Sequence, residues 1–184
     1  MSPRAQGFTL TELLVVVIIL GMLAAVVSPA LRSGDPNKVD LAATQLAETL
    51  RFARSEAMRT GQVHSVEVRR GDEAFTAEKT DLTVEPAGVE SVLRHPVTMQ
   101  LYDVDLDDSR AVAGVDISNS QDAFYYAGLG RQTRVMFDAQ GMPIYIKPIA
   151  GETYHLTSGN IRLKLGEHEV TVSVQKFTGR VTIQ

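Results

Sequence analysis

The sequence predicts an α+β fold in which a long N-terminal helix packs on an antiparallel β-sheet. Three observations lead to this prediction. Residues 13–27 carry no charged or strongly polar side chain, residues 37–60 repeat apolar side chains every three or four positions, and the period changes to two after Gly61. The first two patterns are typical of helices and the third is typical of strands. We therefore expect a helix with two unlike halves, followed by a sheet.

Composition limits the chain to one folded domain beside the apolar segment. The chain has 184 residues, and 18 Lys and Arg stand against 22 Asp and Glu, which gives a net charge of −4. The roughly 150 residues outside the apolar segment are enough for one core. The mild negative charge argues against a protein that binds polyanions over its whole surface. Because the chain has no cysteine, packing and not disulfides must stabilise the domain.

The apolar segment is long enough to cross a membrane. From Phe8 to Val27 it would rise about 30 Å as a helix, which matches the hydrocarbon core of a bilayer. Glu12 lies inside this segment, one turn after Phe8. An ionised carboxylate at membrane depth costs about 2.5–3.5 kcal/mol unless it reaches the interface or pairs with a cation. We therefore expect Glu12 to need a positively charged partner.

Residues 7–12, Gly-Phe-Thr-Leu-Thr-Glu, precede the apolar run. This arrangement resembles the N-terminal signal of type IV pilins and of the pseudopilins of type II secretion. The resemblance implies that a membrane-bound prepilin peptidase cleaves between Gly7 and Phe8, and that the new N-terminal Phe8 is N-methylated. It also implies that Glu12 pairs with the terminal amine of a neighbouring subunit. That amine would supply the cation that a buried carboxylate needs.

Two other interpretations of the segment stay open. A secretory signal peptide would use Arg4 as its basic region and residues 28–30, Ser-Pro-Ala, as its cleavage site, although Glu12 interrupts the usual apolar core. A plain single-pass anchor would let Glu12 snorkel to the near interface. The combination of Gly7, Phe8 and Glu12 at these spacings favours the pilin interpretation.

The amphipathic half of the helix is predicted between two turn signals. Asp35 is placed to cap it, Pro36 to occupy its first position, and Gly61 to end it. The apolar positions that recur between these signals are Val39, Ala42, Ala43, Leu46, Leu50, Ala53 and Ala57. This stripe predicts a helix that packs on its own sheet and not a free coiled coil, because no heptad pattern persists.

The remainder of the chain predicts antiparallel strands separated by turns rich in glycine, asparagine and aspartate. The predicted strands are residues 63–68, 75–79, 82–85, 97–106, 112–117, 133–137, 144–146, 161–165, 170–174 and 181–183. Residues 158–160, Ser-Gly-Asn, are predicted to form a turn. Residues 86–96 and 118–132 are the least regular stretches.

Three further segments resemble the H-type minor pseudopilins of type II secretion and the related minor pilins. They are residues 50–61, 135–143 and 170–181. The resemblance implies a structural subunit, neither an enzyme nor dependent on a cofactor, that initiates or tips a periplasmic filament for protein export. The implied partners are other pilin or pseudopilin subunits, the prepilin peptidase and inner-membrane lipid. A major pilin or a G-type pseudopilin would share the same N-terminal segment.

The predicted organisation has four parts. They are a leader peptide at residues 1–7, a transmembrane and assembly helix at 8–31, an amphipathic helix at 32–61 and a β-rich domain at 62–184. Arg4 precedes the apolar run, so the positive-inside tendency predicts a cytoplasmic N-terminus and a C-terminal domain on the outer side. The resemblance implies that the membrane is the bacterial inner membrane and that this domain is periplasmic. A minor pilin of a type IV pilus or of DNA uptake, and a secreted or singly anchored β-protein, remain alternatives.

Ligand-binding motifs are weak. The four histidines are scattered without a metal-binding spacing. Asp103, Asp105 and Asp107 alternate and are a weak candidate for calcium, although the spacing of an EF-hand fails. We favour an exposed strand face, because alternate residues of a strand share one side. Lys176 and Arg180 are weak candidates for DNA binding, but so small a patch would make few phosphate contacts, and nucleic acid is not an expected partner.

Overall fold

The computed structural model describes residues 10–11, 13–20, 35–69, 71–84 and 88–184. The chain divides into two compact units, residues 1–34 and residues 35–184. In the first unit the described residues are helical. In the second unit a helix is followed by a β-sheet, as the sequence predicts.

Helix α1, Pro36–Thr60, begins and ends close to the predicted positions. The Asp35 carboxylate accepts a hydrogen bond from the backbone N–H of Asn37 at 3.0 Å, so it caps the helix. Pro36 lies in the first turn, where its missing N–H costs no hydrogen bond. Gly61 ends the helix with a φ of 71°, a left-handed conformation that glycine adopts without a steric penalty.

The apolar stripe of α1 faces the sheet. Every predicted position of the stripe is buried, and Ala47 and Thr49 are buried beside them. The stripe and the inward side chains of the sheet form one core, which includes Phe75, Ile161 and Val172. Because this core lies wholly within residues 35–184, we expect that unit to fold on its own.

Antiparallel strands, joined by turns and by a 3₁₀ helix at Ser120–Asp122, form the remainder of the described part of this unit. Their bounds are β1 His64–Arg69, β2 Ala74–Asp81, β3 Gly88–Val92, β4 Asp103–Asp105, β5 Asp116–Ile117, β6 Phe124–Tyr126, β7 Gly130–Gln132, β8 Arg134–Phe137, β9 Pro143–Ile146, β10 Thr153–Leu165, β11 His168–Val174 and β12 Val181–Ile183. The order across the sheet is β12-β11-β10-β9-β8-β1-β2-β3. In addition, β4 pairs with β2, β5 and β6 pair with β10, and β7 pairs with β6.

Most of the predicted strands are confirmed. Those at residues 63–68, 75–79, 133–137, 144–146, 161–165, 170–174 and 181–183 each overlap an observed strand. The strand predicted at residues 82–85 is wrong for its described residues, because β2 ends at Asp81. The Asp81 carboxylate accepts hydrogen bonds from the backbone N–H of Thr83 at 2.8 Å and from its hydroxyl at 2.6 Å. This local turn redirects the chain.

The strand predicted at residues 97–106 is shorter than expected: its continuous part is Asp103–Asp105, and Leu101 adds an isolated bridge to Arg94. Before it, His95 Nδ1 accepts hydrogen bonds from the backbone N–H groups of Val97 at 3.2 Å and Thr98 at 3.1 Å. These hydrogen bonds close a turn where the apolar side chains had indicated a strand. A side chain that satisfies two backbone donors competes with strand pairing.

The strand predicted at residues 112–117 shortens to Asp116–Ile117. The backbone N–H groups of Val112 and Ala113 donate to the carbonyl of Ser109 at 3.0 and 2.8 Å, which winds this stretch into a helical turn. Val112 is nevertheless fully buried in the core. The apolar side chain of Val112 thus correctly indicated a buried position, but the strand conformation predicted from it is wrong.

The turn predicted at residues 158–160 is also wrong, because these residues lie inside the long strand β10. Gly159 serves close packing there: a Cβ at this position would lie 3.0 Å from Leu156 and 3.2 Å from Phe124. The stretches predicted to be irregular contain β3, β6 and β7. These strands are three to five residues long, which is too short to show a clear alternation of apolar and polar side chains in the sequence.

Candidate assembly surface

The described helix of the first unit presents apolar side chains in every direction. Residues 13–20 are all Leu, Val or Ile, and their exposed fractions lie between 46% and 62%. Successive residues of an α-helix point about 100° apart, so eight consecutive apolar residues leave no polar face. A helix that is hydrophobic all round is normally buried in protein or lipid. This segment therefore requires a covering partner.

The predicted processing and pairing residues lie next to this surface in sequence. Gly7, Phe8 and Glu12 are outside the described residues, so the predictions made for them stay predictions. Leu10 and Thr11, between Phe8 and Glu12, are helical, and Leu10 is 83% exposed. Among the described residues, no helix combines the length and the apolar character needed to span a membrane.

Arg54 of α1 joins three distant segments of the second unit. Its Nε donates a hydrogen bond to the carbonyl of Gly141, in the turn between β8 and β9, at 3.0 Å. Gly179, in the turn between β11 and β12, has a φ of 63°, and a Cβ there would collide with the same carbonyl. The three segments that resemble H-type pseudopilins thus meet at one point. We call Arg54, Gly141 and Gly179 the helix–turn junction.

A cluster of charged residues in the sheet contains one fully buried carboxylate, that of Glu78, beside the partly buried Arg134 and Glu67. Nη2 of Arg134 lies 2.6 Å from the Glu67 carboxylate and 2.8 Å from the Glu78 carboxylate. Glu78 is 2% exposed and also accepts a hydrogen bond from the Ser65 hydroxyl at 3.1 Å. Burial raises the pKa of Glu78 to about 7, although the Arg134 charge acts in the opposite direction. Sequence reasoning missed this cluster, because charged residues in a strand ordinarily indicate an exposed face.

The candidate calcium residues make separate contacts. Asp103 accepts hydrogen bonds from Arg69 at 2.9 Å and from the Thr76 hydroxyl at 2.8 Å. The Asp105 carboxylate accepts the backbone N–H of Asp107 at 2.9 Å. Within the described ranges, no three His, Asp or Glu side chains converge as metal ligands would. The Asp103 carboxylate therefore contacts β1 and β2 and does not share a metal-binding centre with Asp105 and Asp107.

The candidate DNA-binding residues lie in the turn between β11 and β12. Lys176 and Arg180 are both exposed. Nζ of Lys176 lies 4.8 Å from the centre of the Phe177 ring, within the range of a cation–π interaction. The neighbouring β10–β11 hairpin places Lys164 opposite Glu169, so an acidic residue interrupts this basic region.

Two family descriptions match this sequence. Residues 2–28 match the prokaryotic N-terminal methylation motif, and residues 42–176 match the type II transport protein GspH. The chain belongs to the GspH family. The second match covers most of α1 and the sheet as far as the end of β11, and the first contains Gly7, Phe8 and Glu12. The predicted membership of the pilin and pseudopilin superfamily is thereby confirmed. No curated protein matches the sequence.

Two solved structures resemble this GspH-family protein, both of the type IV minor pilin FimU from Pseudomonas aeruginosa strain PAO1. The crystal form in space group P21 has a TM-score of 0.50 at 15% identity, over 80% of this chain and 89% of that one. The form in space group P65 has a TM-score of 0.46 at 13% identity, over 79% and 91%. At this identity the first likeness establishes the fold, and it confirms the predicted helix on an antiparallel sheet.

Proposed function

We propose that this GspH-family protein is a structural, non-catalytic subunit that initiates or tips a short periplasmic filament. The match to the GspH family supports a minor pseudopilin of type II secretion. The observation that carries the proposal is the helical surface at residues 13–20, which is apolar in every direction. Such a surface can be stored in lipid and then packed against equivalent helices of other pseudopilin subunits.

The proposed maturation supplies the partner that Glu12 needs. Prepilin peptidase cleaves after Gly7, so that Phe8 becomes the N-terminal residue and its α-amino group is methylated. This amine is a cation at the depth of the Glu12 carboxylate of a neighbouring subunit, and their pairing fixes the register of the two helices. The match of residues 2–28 to the methylation motif supports this step.

The proposed topology follows from the N-terminal charge. Arg4 stays on the cytoplasmic side of the inner membrane, residues 8–31 form the transmembrane and assembly helix, and the unit from residue 35 onward lies in the periplasm. Lipid of the inner membrane covers the apolar helix before assembly.

A minor pilin of a type IV pilus is the second candidate function. The fold likeness to FimU favours it, since FimU is a type IV minor pilin. The two candidates share the N-terminal chemistry and differ in the machine that they serve.

The first experiment is the N-terminal sequence and intact mass of the protein from its native host. A start at Phe8 with one added methyl group is expected. A start near Leu31 would instead identify a secreted protein, and an uncut Met1 would identify a plain anchor.

The second experiment, deletion of the gene, separates secretion from pilus assembly. The deletion should abolish release of secreted proteins into the medium and leave surface pili and DNA uptake intact. Loss of pili with normal secretion would establish the pilus candidate.

A further inference from the structure

A groove lies on the face of the sheet that points away from α1. In β10 and β11, Ile161 and Val172 point toward the core, so Asn160 and Ser173 point to the opposite face. The groove there has a volume of about 810 Å³. We call it the polar groove, and its defining residues are Asn119, Tyr125, Arg131, Asn160, Arg162 and Ser173.

Hydrogen bonds hold the floor of the polar groove in place. The Asn119 side chain donates to the carbonyl of Asn160 and accepts from the backbone N–H of Arg162, both at 2.7 Å. The Ser173 hydroxyl donates to the Asn160 side chain at 2.9 Å, and that side chain donates to Ser158 at 3.1 Å. The amide and hydroxyl groups are therefore oriented before any ligand arrives, which lowers the entropy cost of binding.

Arg162 gives the groove a positive centre. Its guanidinium makes no hydrogen bond or ion pair with any described residue. The other arginine of the groove, Arg131, is paired with Asp122 at 3.0 Å. A guanidinium presents parallel N–H donors that match a carboxylate. The described lining of the groove thus combines one unpaired guanidinium, that of Arg162, with uncharged amide and hydroxyl groups that can form hydrogen bonds.

Tyr125 supplies an aromatic surface at the wall of the groove. It lies in β6 between the buried residues Phe124 and Tyr126, and it is 42% exposed. An exposed tyrosine ring offers an apolar face together with a polar tip. The ring of a sugar has the matching surface, because its C–H groups form an apolar face and its hydroxyls surround that face.

We propose that the polar groove binds a carboxylate-bearing saccharide, with the carboxylate on Arg162 and a sugar ring on Tyr125. The Asn119, Asn160 and Ser173 side chains face the sugar hydroxyls. A hexuronate polymer and a cell-wall glycan that contains muramic acid both carry this chemistry.

The lining argues against other polymers. A bound peptide normally places side chains in apolar pockets, and the only aliphatic side chain of the described lining is that of Ala123, which is 1% exposed, so Tyr125 has no second apolar side chain beside it. Nucleic acid would need several unpaired cations, and the Asp122 carboxylate lies at the same rim. The proposal does not depend on the role in secretion, because binding at this face needs no assembled filament.

The test is calorimetric titration of the full chain in a detergent without a sugar headgroup. The probes are a short oligogalacturonate, its fully methyl-esterified form, the disaccharide of N-acetylglucosamine and N-acetylmuramic acid, and an acidic peptide. We expect at least one acidic saccharide to bind, and the tighter of the two identifies the source. Esterification should weaken binding about tenfold, the effect of losing one charged contact.

Variants assign the contacts. Arg162→Gln should weaken the acidic saccharide about tenfold and abolish the difference between acid and ester. Tyr125→Leu should weaken acid and ester alike. Arg110→Gln, which removes an exposed arginine outside the groove, should bind like the parent chain. Failure of both acidic saccharides to bind, undiminished binding by Arg162→Gln, or tighter binding of the acidic peptide would overturn the proposal.

Discussion

Arg134 Nη2 lies 2.8 Å from Glu78 Oε1, and this carboxylate is almost completely withdrawn from solvent. The same guanidinium nitrogen forms an ion pair with Glu67 on the adjacent strand β1. One cation therefore compensates two carboxylates, and the cluster carries a net negative charge when both are ionised, although the Glu67 side chain is 33% exposed. This arrangement makes the stability of the second unit depend on pH.

The stability contribution of Glu78 should decrease as pH rises. In the unfolded chain its pKa is near 4.5, and in the folded protein burial raises it to about 7. The folded state binds the proton more tightly, so this contribution is fully present below about pH 4.5 and is lost as pH rises through about 7. The loss is on the order of 3 kcal/mol. Urea unfolding of residues 35–184 at pH 5 and pH 8 measures it.

Glu78→Gln is the variant that tests this origin. It keeps a side-chain oxygen for Ser65 and cannot ionise, so the free energy of unfolding should change less between pH 5 and pH 8 than in the parent chain. Glu90→Gln is the control, because Glu90 is 54% exposed in its pair with Lys79. An equal pH dependence in the parent chain and in Glu78→Gln would contradict the assignment.

Removal of the shared cation should be more damaging than removal of a surface cation. Arg134→Met leaves Glu78 buried without its counter-charge and should reduce the free energy of unfolding by about 3–5 kcal/mol at pH 8. The matched control is Arg69→Met, since Arg69 and Asp103 are 37% and 41% exposed. That control should cost less than about 1 kcal/mol. Similar losses in the two variants would show that burial does not decide the effect.

Gly179 should tolerate no side chain. Gly179→Ala adds strain at positive φ, about 1–2 kcal/mol, and a collision with the Gly141 carbonyl that adds roughly 1–3 kcal/mol. Gly151→Ala isolates the first effect, because Gly151 has a φ of 70° and no atom lies near the added Cβ. Chemical unfolding should rank Gly179→Ala as clearly less stable than Gly151→Ala. If the two losses are equal, the helix–turn junction is not tightly packed.

Glu12→Ala should separate insertion from assembly. The variant removes a carboxylate from an apolar segment, so membrane insertion should be retained or improved. Assembly should fail, because the terminal amine of a neighbouring subunit loses its counter-charge. Membrane fractionation measures the first property, and cross-linking to other pseudopilins in the native host measures the second. Thr11→Ala is the control, and normal incorporation of Glu12→Ala into filaments would refute the pairing.

Local signals made α1 predictable from the sequence. Asp35, Pro36 and Gly61 each act on backbone within a few residues of themselves, and the apolar stripe needs only the helical period. The strands were harder, since apolar character reports burial and not backbone conformation. Val112 is buried in a helical turn, and Gly159 lies in the middle of a strand.

The candidate sites also differ in whether a local sequence pattern could predict them. The prediction for Gly7, Phe8 and Glu12 rests on a contiguous motif, and the family matches support its context. The Glu78–Arg134 pair joins β2 to β8 across β1, so no local pattern contains it. The polar groove likewise assembles side chains from separate strands and turns. Neither could be found before the strand order was known.

Helix α1 is the first element made in its unit, yet β10, β11 and β12, the last strands made, cover part of its apolar stripe. Arg51 adds a hydrogen bond from α1 to the carbonyl of Val181 in β12 at 3.2 Å. During synthesis, part of the stripe therefore stays uncovered until the C-terminal strands emerge. A truncated subunit keeps this bare surface, which gives chaperones and proteases a means to remove incomplete chains before they reach a growing filament.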